Sequence, residues 1–332
     1  MPDLQIIVVL VLIVVLLLLA LLLRHQVAVK LALSAIRPKP ISYGAVLTQE
    51  VNRNHVDPAL MDLKYEKLFL KNKRGQELTA RLYLAPSQTD RYILFLHAYN
   101  YPWVGVLKYL PMLRDLGFNI LVPDQQAQGE SQGDFITFGT LESDDSLEWL
   151  GEIRRYAQLS GFERARIGVM GESMGAVTAL LTMAKANSPS VKMEDKPLFC
   201  VADCPFSNFD SLMELRVEKH GGKNALRLLP LVKSIIKSRS GADMDEVNTV
   251  KAAAAIRVPV LLFHGTDDPL VPASMSQEIA AANPNIKLCL IEGAKHINCY
   301  ATDPKEYRRQ FVELLKQVQF ENETSEEFAV YL

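Results

Sequence analysis

The chain carries a long, uninterrupted apolar run close to its N-terminus. Residues 4–23 read LQIIVVLVLIVVLLLLALLL, in which Gln5 is the only polar side chain and no Gly, Pro or charged residue occurs. At a rise of about 1.5 Å per residue, a helix of this length spans a hydrocarbon core of about 30 Å. A buried helix of a soluble domain is normally shorter and amphipathic. The run therefore predicts a transmembrane helix over residues 1–24.

The charges that flank this run indicate that it is retained, and how it is oriented. A cleaved signal peptide has a basic start and an apolar region of roughly 7–15 residues, whereas this run is longer and follows Asp3 with no preceding Lys or Arg. Basic side chains follow the run at Arg24, Lys30, Arg37 and Lys39. The positive-inside rule then predicts that the rest of the chain lies in the cytoplasm.

The composition argues against two classes of binding protein. Of the 332 residues, 36 are Lys or Arg and 38 are Asp or Glu, so the formal net charge is -2. Nucleic-acid-binding domains are usually basic, and we therefore expect no nucleic-acid partner. The four cysteines and six histidines show no spacing typical of a zinc site, so we predict no metal site.

Short apolar runs alternate with helical patterns from residue 64 onward. We predict strands over residues 64–70, 77–84, 92–96, 118–122, 167–170, 199–202, 258–263 and 287–291. We predict helices over residues 104–116, 141–159, 175–186 and 303–318. Strands that are separated by helices form a mostly parallel sheet with helices on both faces. The pattern thus predicts an α/β fold.

The segment 207–250 interrupts this alternation. It has a helical pattern with a Gly221-Gly222 break, and we predict that it is a small helical cap above the carboxyl edge of the sheet, where α/β folds bind ligands. The predicted organisation is an anchor at 1–24, a connector at 25–60, a main domain at 61–320 that includes the cap, and an acidic tail at 321–332.

Gly171-Glu172-Ser173-Met174-Gly175 has the G-x-S-x-G pattern. The pattern alone is weak, but here it lies between a predicted buried strand and a predicted helix. A sharp turn from a strand into a helix strains the serine backbone and lifts the hydroxyl above the sheet. Ser173 is therefore the candidate nucleophile.

A serine hydroxyl needs a base before it can attack, and the base needs an acid that fixes its tautomer. His296 follows the last predicted strand, in the segment GAKHINCY, and is the candidate base. Asp268 follows the preceding strand, in the segment HGTDDPLVP, and is the candidate acid, with Asp267 as the competing assignment. His264 ends a buried strand, so we assign it a structural role.

A nucleophilic serine also requires N–H donors for the oxyanion that forms on the attacked carbonyl. We expect the backbone N–H of Met174, directly after the nucleophile, and that of Tyr99, in the loop after the third strand, to be these donors. Trp103, Phe206 and Phe209 are candidates for the walls of the substrate pocket, although aromatic residues at such positions equally often pack as core.

Several segments together resemble a known family. They are Gly171 to Ala176, residues 123–139, and the HGTDDPLVP and GAKHINCY segments, and they look like α/β hydrolases of the serine aminopeptidase S33 or BEM46-like type. The chain order Ser, Asp, His is also that of α/β hydrolases. The resemblance covers about residues 63–318, and many proteins of this type carry an N-terminal membrane anchor.

The resemblance implies an α/β-hydrolase fold and a role for five residues. Ser173 would be the nucleophile, Asp268 the acid and His296 the base, and Tyr99 and Met174 would supply the oxyanion hole. The chain departs from the usual family pattern where it has Ala98 after His97 in place of Gly. It also has Gln126 and Gln128 where relatives tend to have Arg and His.

These features predict a membrane-anchored serine hydrolase that cleaves carboxylic esters through an acyl-enzyme and requires no metal or organic cofactor. An ester is favoured over an amide because its leaving group needs less help. An anchor that holds the site near lipid favours a lipid or acylglycerol ester as the substrate. A serine peptidase of the same fold and a non-catalytic, hydrolase-like binding protein are the alternatives.

Overall fold

Eight strands form one sheet within the residues that the computed structural model describes, which are 2–188, 190–220 and 223–318. In chain order the strands are β1 (Glu66–Lys71), β2 (Glu77–Tyr83), β3 (Arg91–Leu96), β4 (Asn119–Pro123), β5 (Arg166–Glu172), β6 (Phe199–Asp203), β7 (Val260–Gly265) and β8 (Ile286–Ile291). Across the sheet their order is β1-β2-β4-β3-β5-β6-β7-β8. Strand β2 runs antiparallel to β1 and β4, and the other neighbouring strands are parallel. The predicted mostly parallel sheet is confirmed.

The same part of the chain forms eleven α-helices. They are α1 (Pro2–Ile36), α2 (Tyr43–Asn52), α3 (Leu110–Asp115), α4 (Thr140–Leu159), α5 (Met174–Ala186), α6 (Phe209–His220), α7 (Leu229–Ser240), α8 (Thr249–Ala255), α9 (Ala273–Ala281), α10 (Cys299–Thr302) and α11 (Pro304–Gln317). Short 3-10 helices occur at Pro58–Asp62, Trp103–Lys108, Met193–Asp195, Lys223–Leu228 and Met244–Glu246.

The prediction of one helix over residues 104–116 was wrong. The chain there forms the 3-10 helix Trp103–Lys108 and then the short helix α3. Pro111 lies in the first turn of α3. Proline has no N–H to donate, and its ring clashes with the carbonyl four residues earlier, so a continuous helix through this position is disfavoured.

Alternate side chains of the central strands pack on opposite faces of the sheet. In β3, Ile93 and Phe95 contribute to the cluster that also contains residues of α3 and α11. Tyr92 and Leu94 point to the other face and pack with residues of α4 and α5. The period of two that a strand imposes thus gives the sheet two apolar faces, each covered by helices.

Helix α1 is long and apolar enough to cross a membrane, by its length and composition. Its most apolar 18-residue stretch has a mean hydropathy of 3.9 and is not buried against other described residues. The helix continues past the apolar run, and Ala28, Ala32 and Ile36 are fully buried in a cluster with residues of α6 and α7. It ends at Ile36 because Pro38 disfavours a helical conformation in the residue before it.

The segment between β6 and β7 contains α6, α7 and α8. Its apolar residues pack with the last turns of α1 and with Val177 and Leu181 of α5. The predicted Gly221-Gly222 break and the predicted tail at 321–332 lie outside the described residues. The segment 207–250 therefore packs against both α1 and α5, the helix that follows Ser173.

Candidate active site

Ser173 lies in a tight turn between the end of β5 and the start of α5. Its backbone has φ 53° and ψ -119°, which is a strained conformation for a residue with a side chain. The turn is closely packed, because a Cβ on Gly171 would lie 2.2 Å from the carbonyl oxygen of Gly175. The Ser173 N–H donates to the carbonyl of Asp203 at 2.8 Å. These contacts hold the serine at the carboxyl edge of the sheet.

The structure brings together the three side chains that the sequence predicts as nucleophile, base and acid. The Ser173 Oγ lies 2.8 Å from Nε2 of His296, and the other ring nitrogen, Nδ1, lies 2.6 Å from Oδ2 of Asp268. The side chain of Asp268 is fully buried, and that of His296 is 14% exposed. All three come from loops that follow parallel strands, so they meet at the same edge of the sheet.

Asp268 is held as a carboxylate by its surroundings. Its Oδ1 accepts the N–H groups of Leu270 and Val271 at 2.8 and 2.9 Å, and Nε2 of His264 lies 3.4 Å from Oδ2. Burial raises the pKa of Asp268, but the hydrogen bonds from His264 and His296 lower it by more, so the pKa lies well below its usual range. The carboxyl is therefore ionised at neutral pH.

Two further titratable residues, Asp267 and His264, lie near Asp268. Asp267 is exposed, and its Oδ1 lies 3.4 Å from the hydroxyl of Thr266. His264 is buried and bonded through Nδ1 to the hydroxyl of Ser276 at 2.7 Å and through Nε2 to the carbonyl of Val271 at 2.9 Å. The geometry favours Asp268 over Asp267 as the partner of the histidine.

The backbone N–H groups of Tyr99 and Met174 belong to residues that line the same cavity as Ser173. Met174 is the first residue of α5, and the first N–H groups of a helix have no acceptor within the helix. No acceptor for either N–H is found among the residues that the structure describes. The positive end of the α5 dipole adds to the attraction of this position for a negative oxygen.

The end of α1 holds the loop that carries Tyr99. The Tyr99 hydroxyl donates to the carbonyl of Ala35 at 2.7 Å, and the side-chain amide of Asn100 donates to the carbonyl of Lys39 at 2.9 Å. The Asn100 N–H donates to Oε1 of Gln128 at 2.6 Å. The last carbonyls of a helix have no donors within the helix, so the bond from Tyr99 to Ala35 satisfies the end of α1 and also holds the loop.

We expect Tyr99→Phe to lower the stability of the protein, because it leaves the carbonyl of Ala35 without this donor. Loss of such a bond costs about 1 kcal/mol, which corresponds to a fall in Tm of about 2–4 °C for a domain of this size. The control is Tyr65→Phe, since Tyr65 is 44% exposed. Thermal unfolding of both full-length variants in micelles measures the effect. Equal Tm values would show that the bond to Ala35 contributes nothing.

A cavity of about 820 Å³ opens above Ser173. Most of its wall is apolar. The lining residues are Ala98, Tyr99, Tyr101, Phe138, Ser173, Met174, Phe206, Leu212, Leu215, Arg216, Asp268, Pro269, Leu270, Val271, Pro272, His296 and Ile297. The volume is within the usual range of small-molecule sites. The wall is built from the carboxyl-edge loops, from α6 and from the segment that follows β7.

Of the three predicted pocket residues, Phe206 lines the cavity, and Trp103 and Phe209 do not. Trp103 is 6% exposed and its ring lies 4.4 Å from the guanidinium of Arg81. Phe209 packs edge-on against Phe138, with 5.2 Å between the ring centroids. Both side chains are therefore part of the core behind the wall, which was the alternative that their aromatic character left open.

Sequence reasoning missed Arg216 and Leu270, which also line the cavity. The guanidinium of Arg216 lies 5.6 Å from the ring centroid of Tyr99. Arg216 has no motif around it, and only its place on α6 brings it to the site. Leu270 is 54% exposed and lies in the HGTDDPLVP segment, two residues after Asp268, so its closeness to the candidate acid was a signal that could have identified it.

Three side chains of metal-ligating type converge at the site. They are Cys204, Asp268 and His296, and their candidate ligand atoms lie within 4.8 Å of one another. His296 and Asp268 are hydrogen-bonded to each other, and Cys204 Sγ accepts the N–H of Ile297 at 3.3 Å. A cation bound to Nδ1 of His296 would break the hydrogen bond between this nitrogen and Oδ2 of Asp268.

Comparison with known proteins shows the family to which the chain belongs. The chain matches no protein-family model. It is 31% identical over 234 residues to the uncharacterized protein YqkD of Bacillus subtilis, and the match covers 70% of this chain and 73% of YqkD.

Comparison with solved structures identifies the fold. The esterase Pf2001 of Pyrococcus furiosus superposes with a TM-score of 0.60 and 22% identity, over 85% of this chain and 98% of the esterase. The α/β hydrolase GrgF of Penicillium sp. sh18 gives a TM-score of 0.54 and 13% identity, over 77% of this chain and 99% of GrgF. The chain thus has the α/β-hydrolase fold, as its motifs predict.

Proposed function

Because the chain belongs to the family of the Bacillus subtilis protein YqkD and has the α/β-hydrolase fold, we propose that it is a serine hydrolase that cleaves carboxylic esters. The observation that carries the proposal is the row formed by Ser173, His296 and Asp268, with contacts of 2.8 and 2.6 Å. A nucleophile within hydrogen-bond reach of a base, which an acid orients in turn, is the arrangement that acyl transfer requires.

The reaction follows from this row. The Ser173 Oγ attacks the ester carbonyl while Nε2 of His296 takes its proton, and the N–H groups of Tyr99 and Met174 stabilise the oxyanion. The intermediate collapses to an acyl-enzyme, and His296 returns the proton to the leaving alcohol. His296 then takes a proton from a water, which attacks the acyl carbonyl, and it returns that proton to the Ser173 Oγ as the carboxylic acid leaves. Ionised Asp268 stabilises the imidazolium at each proton transfer.

The cavity and α1 support a lipid ester as the substrate. The cavity wall is mostly apolar, and Phe206, Leu212 and Leu215 could contact an acyl chain. In this proposal the segment 207–250 is a cap on the main domain at 61–320, because it supplies this side of the wall. We assign the chain to the serine aminopeptidase S33 or BEM46-like branch on the sequence segments that resemble it.

Helix α1 supports attachment to a membrane. Residues 4–23 are exposed in the folded chain, as the lipid-facing surface of an anchor would be. The turns that follow are buried against the cap, so the helix is an integral part of the folded protein. With Arg24, Lys30 and Arg37 on the C-terminal side of the run, the proposed location of the hydrolase domain is the cytoplasm.

Labelling of the full-length protein in detergent micelles with a fluorophosphonate probe tests the proposal. Such a probe reacts with an activated serine, so we expect the wild type to be labelled and Ser173→Ala and His296→Ala to be unlabelled. Ser274→Ala is the control, because Ser274 is exposed on α9. Labelling of the Ser173→Ala variant would identify another nucleophile and exclude the proposed one.

A panel of substrates then separates the alternatives. Esters of graded acyl length and peptides of matched size are compared under the same conditions. Faster turnover of peptides would make the protein a peptidase of the same fold. Folded wild-type protein that reacts with neither a large nor a small probe would be a hydrolase-like binding protein.

A further inference from the structure

A buried lysine contacts the chain neighbours of the candidate nucleophile and base. Lys108 ends the 3-10 helix Trp103–Lys108, and its side chain is fully buried. Its Nζ lies 2.7 Å from Oε2 of Glu172, which is also fully buried, and donates to the carbonyl of Ile297 at 2.9 Å. Glu172 directly precedes Ser173, and Ile297 directly follows His296. One ammonium therefore bridges the two loops that carry the reacting side chains.

The peptide that Lys108 holds is strained. Ile297 has φ 56°, which is a rare conformation for a β-branched residue. Such strain persists only where the surroundings enforce it. Here the carbonyl of Ile297 is held by Lys108, and its N–H is held by Cys204 Sγ. These two contacts hold the peptide groups on both sides of Ile297, one of which joins it to His296.

The charges around Lys108 favour its ammonium form. Burial lowers the pKa of Lys108, but the carboxylates of Glu172, Glu50 and Asp203 raise it by more. The second oxygen of Glu172, Oε1, has no hydrogen-bond partner among the described residues. The Tyr109 hydroxyl also donates to Oε2 of Glu172, at 3.4 Å, but it carries no charge. Lys108 is the donor that the structure gives to the carbonyl of Ile297.

We propose that Lys108 is a positioning residue that fixes His296 relative to Ser173 by bridging Glu172 and the carbonyl of Ile297. The proposal rests on the proposed serine hydrolase function. Its physical basis is that proton transfer between Oγ and Nε2 requires a short, aligned contact, and a displacement of about 1 Å costs up to about 100-fold in rate. Without the bridge, Ile297 relaxes from its strained conformation and carries His296 with it.

Three variants of the full-length protein distinguish two roles of Lys108, which are the positioning of His296 and the neutralisation of the charge of Glu172. Lys108→Met removes both bonds and leaves the carboxylate of Glu172 buried without a counter-ion, which is strongly destabilising. Glu172→Gln removes the charge of the partner. The double variant has neither charge, so we expect its Tm to recover toward the wild-type value. It still lacks a donor for the carbonyl of Ile297, so we expect its kcat to remain about 10–100-fold low, with KM little changed.

Lys185→Met is the matched control. Lys185 bonds a carboxylate, Oδ1 of Asp144, at 2.5 Å and a backbone carbonyl, that of Thr140, at 3.2 Å, which is the same pair of acceptor types at the far end of α5. Its loss should leave kcat unchanged. A double variant of Lys108 and Glu172 that recovers both Tm and kcat would overturn the proposal and reduce the lysine to a counter-ion.

A crystal structure of the double variant gives a readout that does not depend on turnover. We expect the peptide of Ile297 to be reoriented and the distance from Nε2 of His296 to Oγ of Ser173 to exceed 2.8 Å. A wild-type position of both groups would overturn the proposal even if no substrate were known. Failure of the proposed function is seen separately, as the absence of probe labelling in the wild type.

Discussion

Asp268→Asn is expected to lower kcat on the order of 10³–10⁴-fold while the protein remains folded. The Oδ1 of Asp268 accepts two backbone N–H groups, those of Leu270 and Val271. An asparagine would keep its carbonyl oxygen there and turn its NH₂ group toward Nδ1 of His296, which lies 2.6 Å from Oδ2. The ring would then carry its proton on Nε2, and Nε2 could no longer take the proton of Ser173.

Asp267→Asn is the control for this substitution, since it makes the same chemical change one residue earlier. Asp267 is exposed, so we expect kcat and Tm to stay close to the wild-type values. Steady-state kinetics on an activated ester, with Tm as the check on folding, measures both variants. A large loss in Asp267→Asn with little loss in Asp268→Asn would transfer the acid role to Asp267.

The strands and the candidate site could be predicted because their signals are local. Buried parallel strands such as β3 and β5 are short apolar runs, and each of the eight predicted strands overlaps a strand of the sheet. Ser173, Asp268 and His296 each follow such a run within a few residues. Because the carboxyl ends of parallel strands meet at one edge, locating the strands was enough to predict that the three side chains would lie together.

The features that sequence reasoning missed depend on contacts between distant segments. Trp103 and Phe209 are aromatic residues of the type that lines pockets, but they pack against Arg81 and Phe138 in the core. Lys108 looks like an ordinary surface lysine until the fold brings Ile297 to it across 189 residues of chain. No sequence periodicity or motif indicates the packing of these two aromatic rings or the contact between Lys108 and Ile297.

The contact between α1 and the loop that carries Tyr99 also joins two segments that are distant in the sequence. The apolar run predicts an anchor, but nothing in the sequence indicates that the carbonyl of Ala35 accepts the hydroxyl of Tyr99. The structure thus links the end of α1 to the loop that we propose as part of the oxyanion hole. This link gives α1 a structural role in addition to the membrane attachment that we propose for it.

Gly175→Ala is expected to destabilise the fold by more than about 4 kcal/mol, which is a large part of the stability of a typical domain. A Cβ at this position would lie 2.0 Å from the carbonyl oxygen of Leu96 and 2.6 Å from that of His97. Both obstacles are backbone atoms at the end of β3, which is paired on both sides with β4 and β5. Neither α5 nor β3 can move away without breaking the sheet or the turn at Ser173.

Gly151→Ala is the matched control for this substitution, since Gly151 lies within α4 and a Cβ there meets no atom within 4 Å. Alanine is the better helix former, so we expect this variant to gain about 0.5–1 kcal/mol. Thermal unfolding of the full-length variants in micelles measures both effects. If Gly175→Ala unfolded within a few degrees of the wild type, the approach of α5 to β3 would be looser than the structure has it. The tight turn at Ser173 would then have another origin.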